Sequence, residues 1–175
     1  LIDADGSTSN TASQKITVTD TSPTSGVVSI SLDEKLLPTI GSEAGSSNPT
    51  SVTALTIVKG QDAISDVVFT SATTTALTAL SLRSSGTLLT YAISNDGHTL
   101  TATAGAKTIF TLVIGNATDA TGTTQTITAT LSGALDQTGL TASNLNVTYQ
   151  VRDIDSTIST SATFTVVDDT PKTPV

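Results

Sequence analysis

Apolar and polar side chains alternate without interruption in the stretch Leu145-Asn146-Val147-Thr148-Tyr149-Gln150-Val151-Arg152. Successive side chains of a β-strand point to opposite faces, so this pattern predicts a strand with one buried and one solvated face. The stretches 28–32, 126–131 and 162–166 alternate in the same way. Turn-forming residues bound further short apolar runs, which predict strands near 51–58, 66–70, 86–93, 98–103 and 107–114.

Many short strands with no competing helical periodicity predict an all-β fold, an Ig-like antiparallel β-sandwich. Asn95-Asp96-Gly97 is expected to form a hairpin turn, because glycine adopts positive φ without steric cost. The least regular region, 33–50, is predicted to be an exposed loop, and 116–124 is predicted to be a second irregular stretch.

The end of the chain repeats its beginning. The segment 16–23 returns at 164–171, 148 residues later, and Asp3-Ala4-Asp5 returns as Asp153-Ile154-Asp155. A repeat of that length is a whole domain rather than a solenoid unit. We therefore predict that residues 1–23 are the C-terminal tail of a preceding repeat plus linker, 24–171 one complete Ig-like repeat, and 172–175 the linker to the next.

The composition of the chain narrows the classes of binding partner that can be expected. The 175-residue chain carries Lys+Arg 7 against Asp+Glu 15, for a formal net charge of −8, and the cations are scattered singly. Nucleic acid is not an expected partner, because phosphate binding needs clustered cations. Apolar runs are too short for membrane insertion by a helix. Cysteine is absent, so stability beyond packing has to come from sources such as oxygen-ligated ions.

Carboxylates concentrate at predicted strand ends and turns. An Asp-x-Asp pair in a loop offers two hard oxygen ligands on one side of the backbone, which suits calcium, and two such pairs belong to the repeated motif. The predicted metal ligands are Asp3, Asp5, Asp20, Asp33, Glu34, Asp153, Asp155, Asp168 and Asp169. The competing interpretation is that acidic residues simply populate solvated turns; we assign Asp62, Asp66, Asp96 and Asp119 to that class, and Asp136 to a simple turn cap.

Topology sharpens the calcium hypothesis. The hairpin loop before the last strand of such a sandwich lies where the chain enters, so Asp153 and Asp155 should face the incoming linker that carries Asp20. By the same argument, Asp168 and Asp169 should face that loop in a following unit. Each junction would then gather carboxylates from two domains, and calcium would neutralise them and stiffen the array.

Catalytic patterns are missing. His98 stands alone and is expected to be an exposed turn residue, and the serines lack a Gly-x-Ser-x-Gly elbow. The chain is therefore not expected to be an enzyme. Thr-x-Thr arrays such as 99–103 and 124–128 fit either a hydroxyl face that binds ice or glycan, or the ordinary solvent face of a strand.

Several motifs in order resemble a known family. They resemble the tandem extender repeat, about 143 residues long, of type I-secreted RTX or biofilm giant adhesins of Gram-negative bacteria. The motifs are Leu32-Asp33-Glu34-Lys35-Leu36-Leu37-Pro38, Asn95-Asp96-Gly97-His98-Thr99-Leu100, 131–137, 145–155 and 164–171. The resemblance implies an Ig-like extender domain with calcium at and near its junctions. The usual Asp-x-Asp-Gly is intact at 3–6 but reads Asp153-Ile154-Asp155-Ser156 in the complete unit.

These observations predict a structural extender domain of an extracellular, cell-surface bacterial adhesin. Its expected partners are Ca²⁺ and neighbouring repeats of the same polypeptide, with the domain itself monomeric within a long chain. It would project adhesive modules for cell adhesion and biofilm formation. The alternative is a glycan-, ice- or peptide-binding module of the same kind of adhesin, and a third reading is an accessory domain of an exported hydrolase.

Overall fold

A computed structural model describes residues 4–7, 13–115, 125–137 and 142–169, with Ala142 described by its backbone alone. Twelve strands, one α-helix and one 3-10 turn occur in these ranges. In chain order they are β1 (Thr24–Ser25), β2 (Val28–Asp33), the 3-10 turn (Glu34–Leu36), β3 (Thr50–Ala54), β4 (Ile57–Val58), β5 (Asp66–Val68), α1 (Ser71–Ala79), β6 (Arg83–Ser84), β7 (Thr87–Ile93), β8 (Thr99–Ala104), β9 (Lys107–Ile114), β10 (Thr126–Leu131), β11 (Ala142–Arg152) and β12 (Thr157–Val167).

Two sheets form the sandwich. One has the order β3-β10-β9-β8-β7-β6, the other β2-β12-β11-β5, and a separate ribbon joins β1 to β4. The neighbours β3-β10-β9 and β5-β11-β12 reproduce the B-E-D and C-F-G orders of an immunoglobulin-type sandwich, in the same chain order. The predicted all-β, Ig-like fold is confirmed, and the hairpins from β6 to β8 extend one of its sheets.

The core forms where the inner faces of the two sheets meet. Leu145, Val147, Tyr149 and Val151 are at most 1% exposed, so the alternation in β11 marks its buried face as predicted. Phe110 of β9 meets Phe164 of β12 edge to face, with ring centroids 5.1 Å apart. Aromatic contacts of this kind add to the free energy gained by area burial alone, so they join the two sheets firmly.

One strand pairing sets the polarity of the domain. β2 runs parallel to β12, with Val28 opposite Ala162 and Asp33 opposite Val167, whereas every other described pairing is antiparallel. The chain therefore begins β2 at one end of the sandwich, here called the entrance end, and leaves β12 at the opposite exit end. Because β11 is antiparallel to β12, the loop 153–156 that joins them lies at the entrance end.

The helix α1 was not predicted. Its sequence is rich in threonine, a poor helix former. Tertiary contacts compensate, because Leu77 is fully buried and the Thr73 hydroxyl donates to the Thr148 carbonyl at 2.6 Å. None of the helical segments in the described ranges is long and apolar enough to cross a membrane.

Other boundaries differ from prediction in smaller ways. The predicted strand 51–58 is interrupted at 55–56, and β1 lies before 28–32, the first strand that was predicted. The hairpin turn at Asn95-Asp96-Gly97 is confirmed, with Gly97 at φ 78°. A Cβ at Gly97 would also lie 2.9 Å from the Val68 side chain, so both conformation and space require glycine there. The stretch 116–124 and residues 170–175 lie outside the described residues.

Candidate metal centre

Three carboxylates meet at the entrance end. Asp20 comes from the incoming chain, and Asp153 and Asp155 from the loop between β11 and β12; one oxygen of each lies within 4.8 Å of the others. Calcium binds oxygen at about 2.3 to 2.6 Å, so two ligands on opposite sides of one ion are about 5 Å apart. The spacing of the three carboxylates therefore fits a single calcium coordination sphere.

Hydrogen bonds hold the loop 153–156 in shape. Asp153 is 6% exposed, and its Oδ1 accepts from the backbone N–H groups of Asp155 and Ser156 while its Oδ2 accepts from the Ser156 hydroxyl at 2.8 Å. Ser156 is the position at which this loop departs from the Asp-x-Asp-Gly pattern, and its backbone has no positive φ. The substitution thus leaves the loop closed, with serine adding a donor to Asp153.

The electrostatics of the centre favour a cation. Desolvation, followed by the charges of Asp20, Asp153 and Asp62, raises the pKa of Asp155. For Asp153, desolvation acts to raise the pKa, but the hydrogen bonds from Ser156 and Asp155 outweigh it and lower the pKa. A cation held between these carboxylates would offset the repulsion that raises the pKa of Asp155.

Asp62 is a member of this neighbourhood that the sequence analysis missed. It was assigned to a solvated turn, yet its charge acts on Asp155. No local motif surrounds Asp62, and only the fold brings it close to a loop more than 90 residues away in the chain.

The incoming chain is held in a defined position behind Asp20. β1 pairs with β4, Gly26 donates its N–H to the Thr56 carbonyl at 3.1 Å, and Pro23 is buried. The Ser25 hydroxyl lies 3.2 Å from the hydroxyl of Tyr149 in the core. At Gly60 the linker approaches so closely that a Cβ would lie 1.5 Å from the Thr21 carbonyl oxygen. The linker segment that follows Asp20 is therefore fixed to the domain.

A second acidic group lies at the exit end. Asp33 ends β2 and Glu34 follows it, Asp168 and Asp169 follow β12, and the parallel register places these strand ends side by side. Asp169 accepts from the Ser42 N–H at 2.7 Å, and Lys35 lies 3.6 Å from Asp33. Of the described carboxylates, those that converge within one coordination sphere are the three at the entrance end, not this group.

Glu34 is the unusual member of the exit group. It is 3% exposed, and its Oε1 accepts the Leu135 N–H at 2.7 Å. Desolvation raises its pKa to about 7; the Leu135 hydrogen bond opposes the shift, and the charges of Asp168, Asp169 and Asp33 add to it. A buried acid of this kind is neutral or charged according to small changes in its surroundings.

The remaining acidic candidates accept hydrogen bonds within turns or lie outside the described residues. Asp5 is exposed and accepts the Ser7 N–H at 2.9 Å, and Asp3 lies outside the described ranges. Asp136 accepts the N–H groups of Ser85 and Gly86 at 2.8 and 2.7 Å, and so caps the turn after β6 as expected.

The expectation of an exposed, solitary His98 was wrong. Its side chain is 20% exposed, and Nε2 lies 2.8 Å from Asp66 Oδ1. Burial acts to lower the pKa of His98, but the hydrogen bond and charge of Asp66, aided by Asp96, outweigh it and raise the pKa. Asp66 is 32 residues away in sequence, so local pattern alone gave no sign of the pair.

Comparison of the chain with protein-family models, with curated proteins and with solved structures found no match.

Proposed function

We propose that this chain is a structural, non-catalytic extender domain of an extracellular bacterial surface adhesin, made rigid by calcium at its junctions with neighbouring repeats. The observation that carries the proposal is the meeting of Asp20 with Asp153 and Asp155. Asp20 lies before the first strand of the sandwich, whereas the other two belong to its last hairpin. An ion held by all three would tie the incoming chain to the domain.

The ends of the domain support an arrangement in series. The parallel pair of β2 and β12 sends the chain in at one end and out at the other, so successive units would lie end to end. Asp168 occupies the place in the repeat that Asp20 occupies before the domain. In an array, Asp168 of this unit would face the counterpart of the loop 153–156 in the next.

Thermal unfolding tests the proposal, with excess calcium compared with EDTA and with magnesium. An ion that binds the folded state raises the melting temperature. At calcium a hundredfold above the dissociation constant we expect a rise of about 5 to 10 °C. Magnesium should give a smaller rise, because it demands a tighter octahedral shell. Coincident curves in calcium and EDTA would refute the site.

Asp155→Asn separates ligation from general charge effects. In calcium the variant should lose most of the rise, because one ligand is gone. In EDTA it should melt at or above the wild-type temperature, since a like charge beside Asp20, Asp153 and Asp62 has been removed. Asp96→Asn is the matched control, removing one carboxylate outside the centre and leaving the calcium response intact.

The ligand-binding alternative has one supporting observation. Threonines form a cross-strand row on the six-stranded sheet, from Thr50 through Thr130 and Thr111 to Thr101. The Thr50 and Thr130 hydroxyls lie 3.2 Å apart. Sheet twist turns each strand by about 20° relative to the next, so the row is not flat, which disfavours binding to a planar lattice such as ice.

A further inference from the structure

The strand β3 is the outer strand of the six-stranded sheet. It pairs with β10 on one side, and no other strand in the described part of the chain pairs with it. Natural sheet edges are protected against pairing with other chains by charged residues, prolines, bulges or very short strands. β3 has five residues, none of them charged or proline, and its register with β10 runs without a bulge from Thr50 to Ala54. Its edge is therefore open to a further strand.

The other outer strands of the two sheets are shorter or charged. β5 and β6 have three and two residues, and β2 ends in Asp33. Among the described outer strands with more than three residues, only β3 lacks a charged residue. A partner strand would therefore meet the fewest obstacles at β3.

The hydrogen bonds at the two ends of β3 show which of its backbone groups face outward. Leu131 donates its N–H to the Pro49 carbonyl at 3.0 Å, and Leu55 donates its N–H to the Gln125 carbonyl at 2.6 Å. Opposite residues of an antiparallel pair alternate between bonded and non-bonded positions, so the backbone groups at 51 and 53 face β10. The N–H and C=O groups at 50, 52 and 54 face away from β10 and line the open edge.

The distribution of charge around β3 favours a second copy of this chain as the partner. The whole chain carries a formal net charge of −8, so two copies repel each other over most of their surface. The stretch 44–58, which contains β3, has no charged residue. Asp33 lines a groove beside Thr50, and the Lys35 ammonium lies 3.6 Å from the Asp33 carboxylate. At β3, two copies can therefore meet with little repulsion.

We propose that two copies of this chain pair through β3, antiparallel and about a two-fold axis. Val52 is the central residue of the strand and is 62% exposed, so it would lie opposite Val52 of the other copy. Thr50 of each copy would lie opposite Ala54 of the other, and the outward N–H and C=O groups would find partners. The edge is self-complementary, because the same residues donate and accept on both sides of the axis.

The pairing is weak for a single domain and reverses the direction of one copy. One short strand from each copy buries less than the roughly 1,200 to 2,000 Å² of a stable interface, so dilute protein remains monomeric. The strands of a sandwich lie within about 30° of one another, so two arrays joined at β3 would run in opposite directions, as chains from facing cell surfaces do. Many such pairs would add along two arrays, a consequence that rests on the proposed function.

Sedimentation velocity of the full chain in EDTA tests the proposal at concentrations from about 20 µM to about 1 mM. With a dissociation constant of about 1 mM, about half of the chain is in dimers at the highest concentration and almost none at the lowest. A chain that stays monomeric at the highest concentration would overturn the proposal. Because calcium is absent, this result is separate from the outcome of the calcium titration.

Hydrogen exchange at the same two concentrations locates the contact. The amides of Thr50, Val52 and Ala54 should exchange about twofold more slowly in the concentrated sample, because half of the chain is then paired. The amides of Ser51 and Thr53 already face β10 and should not change. Slowing at another strand edge, with none at β3, would overturn the assignment.

Val52→Lys is the decisive variant. It places two lysines opposite each other at the two-fold axis, so association should weaken about tenfold. The side chain lies outside the core, so the melting temperature should change little. Val58→Lys is the matched control, because it adds the same charge at a valine that is 65% exposed on β4, and it should associate as wild type does. Equal association of Val52→Lys and wild type would contradict the proposal.

Ile16→Ser combined with Val18→Ser separates the β3 edge from the exposed segment before the domain. These two side chains are 80% and 86% exposed and offer another apolar surface for self-association. The double variant should associate as wild type does. Loss of association in the double variant, with association retained in Val52→Lys, would assign the contact to that segment and overturn the proposal.

Discussion

At the residue scale, Glu34 shows how burial turns a common surface residue into a titrating group. Burial at the exit end of the domain raises the pKa of Glu34 from the ordinary value of 4.5 to about 7. The folded state therefore binds this proton more tightly than the unfolded chain does. Its contribution to stability is complete below about pH 4.5 and is lost as the pH rises through 7.

Glu34→Gln should remove this dependence. Glutamine keeps an oxygen for the Leu135 N–H and carries no charge, so in EDTA its stability relative to wild type should grow from pH 4.5 to pH 8. One pKa unit corresponds to about 1.4 kcal/mol, so the gain is at most about 3 kcal/mol. Urea unfolding across this pH range measures it. A Glu34→Gln curve that stays parallel to wild type across this range would contradict the prediction.

Sequence reasoning identified the entrance-end carboxylates because they are repeated and because loop order in a sandwich follows from strand order. It did not identify Asp62, or the partner of His98, because neither relation is local. Charge proximity between residues from separate loops depends on how the loops fold over the sheet edge. The alternation of apolar and polar side chains along a strand carries no information about how the loops fold.

At the element scale, the small ribbon of β1 and β4 determines where Asp20 lies. Gly60→Ala should push the linker away, because its methyl group would collide with the Thr21 carbonyl. We expect the calcium-induced rise in melting temperature, measured against each variant's own value in EDTA, to fall by at least half. The melting temperature in EDTA should fall as well, because the displaced linker carries β1 and the buried Pro23.

Gly45→Ala is the control for that experiment. Its methyl group would meet the Leu36 carbonyl at 3.3 Å, a milder contact in the loop after β2. Calorimetry in calcium and in EDTA gives both values for each variant. A full calcium response in Gly60→Ala would show that the position of the linker does not matter to the ion.

The strands with clean alternation were predictable almost to the residue, as with 126–131 and β10. The helix was not, since Ser71–Ala79 contains four threonines and buries only Thr73 and Leu77. A helix held by one hydroxyl and one leucine has almost no periodic signature. Its existence depends on the sheet beneath it.

At the whole-molecule scale, the segment before the domain has the character of a strand without its sheet. Ile16 and Val18 are 80% and 86% exposed, whereas Phe164 and Val166, their counterparts in the repeat, are fully buried. The fold could be predicted because the sandwich is a general solution for alternating strands. On the repeat interpretation, Ile16 and Val18 would pack within another unit, so this sequence could not predict their surroundings.

A tandem chimera tests the repeat interpretation directly. Residues 24–163 followed by 16–175 place Ile16 and Val18 where Phe164 and Val166 stand in the first unit. We expect two folded units, with slow hydrogen exchange at Val18 in the chimera and fast exchange in the single chain. Calcium should also narrow the distribution of end-to-end distances in small-angle scattering. Fast exchange at Val18 in the chimera would contradict the assignment of residues 1–23.

The parallel pair of β2 and β12 has a mechanical consequence. Tension applied between the two chain ends pulls β2 and β12 in opposite directions along their length. The hydrogen bonds between Val28–Asp33 and 162–167 lie across that direction, so they are loaded in shear and must yield together. Strands pulled apart sideways would instead lose their bonds one at a time. We therefore expect this pair to resist forces that pull the two chain ends apart.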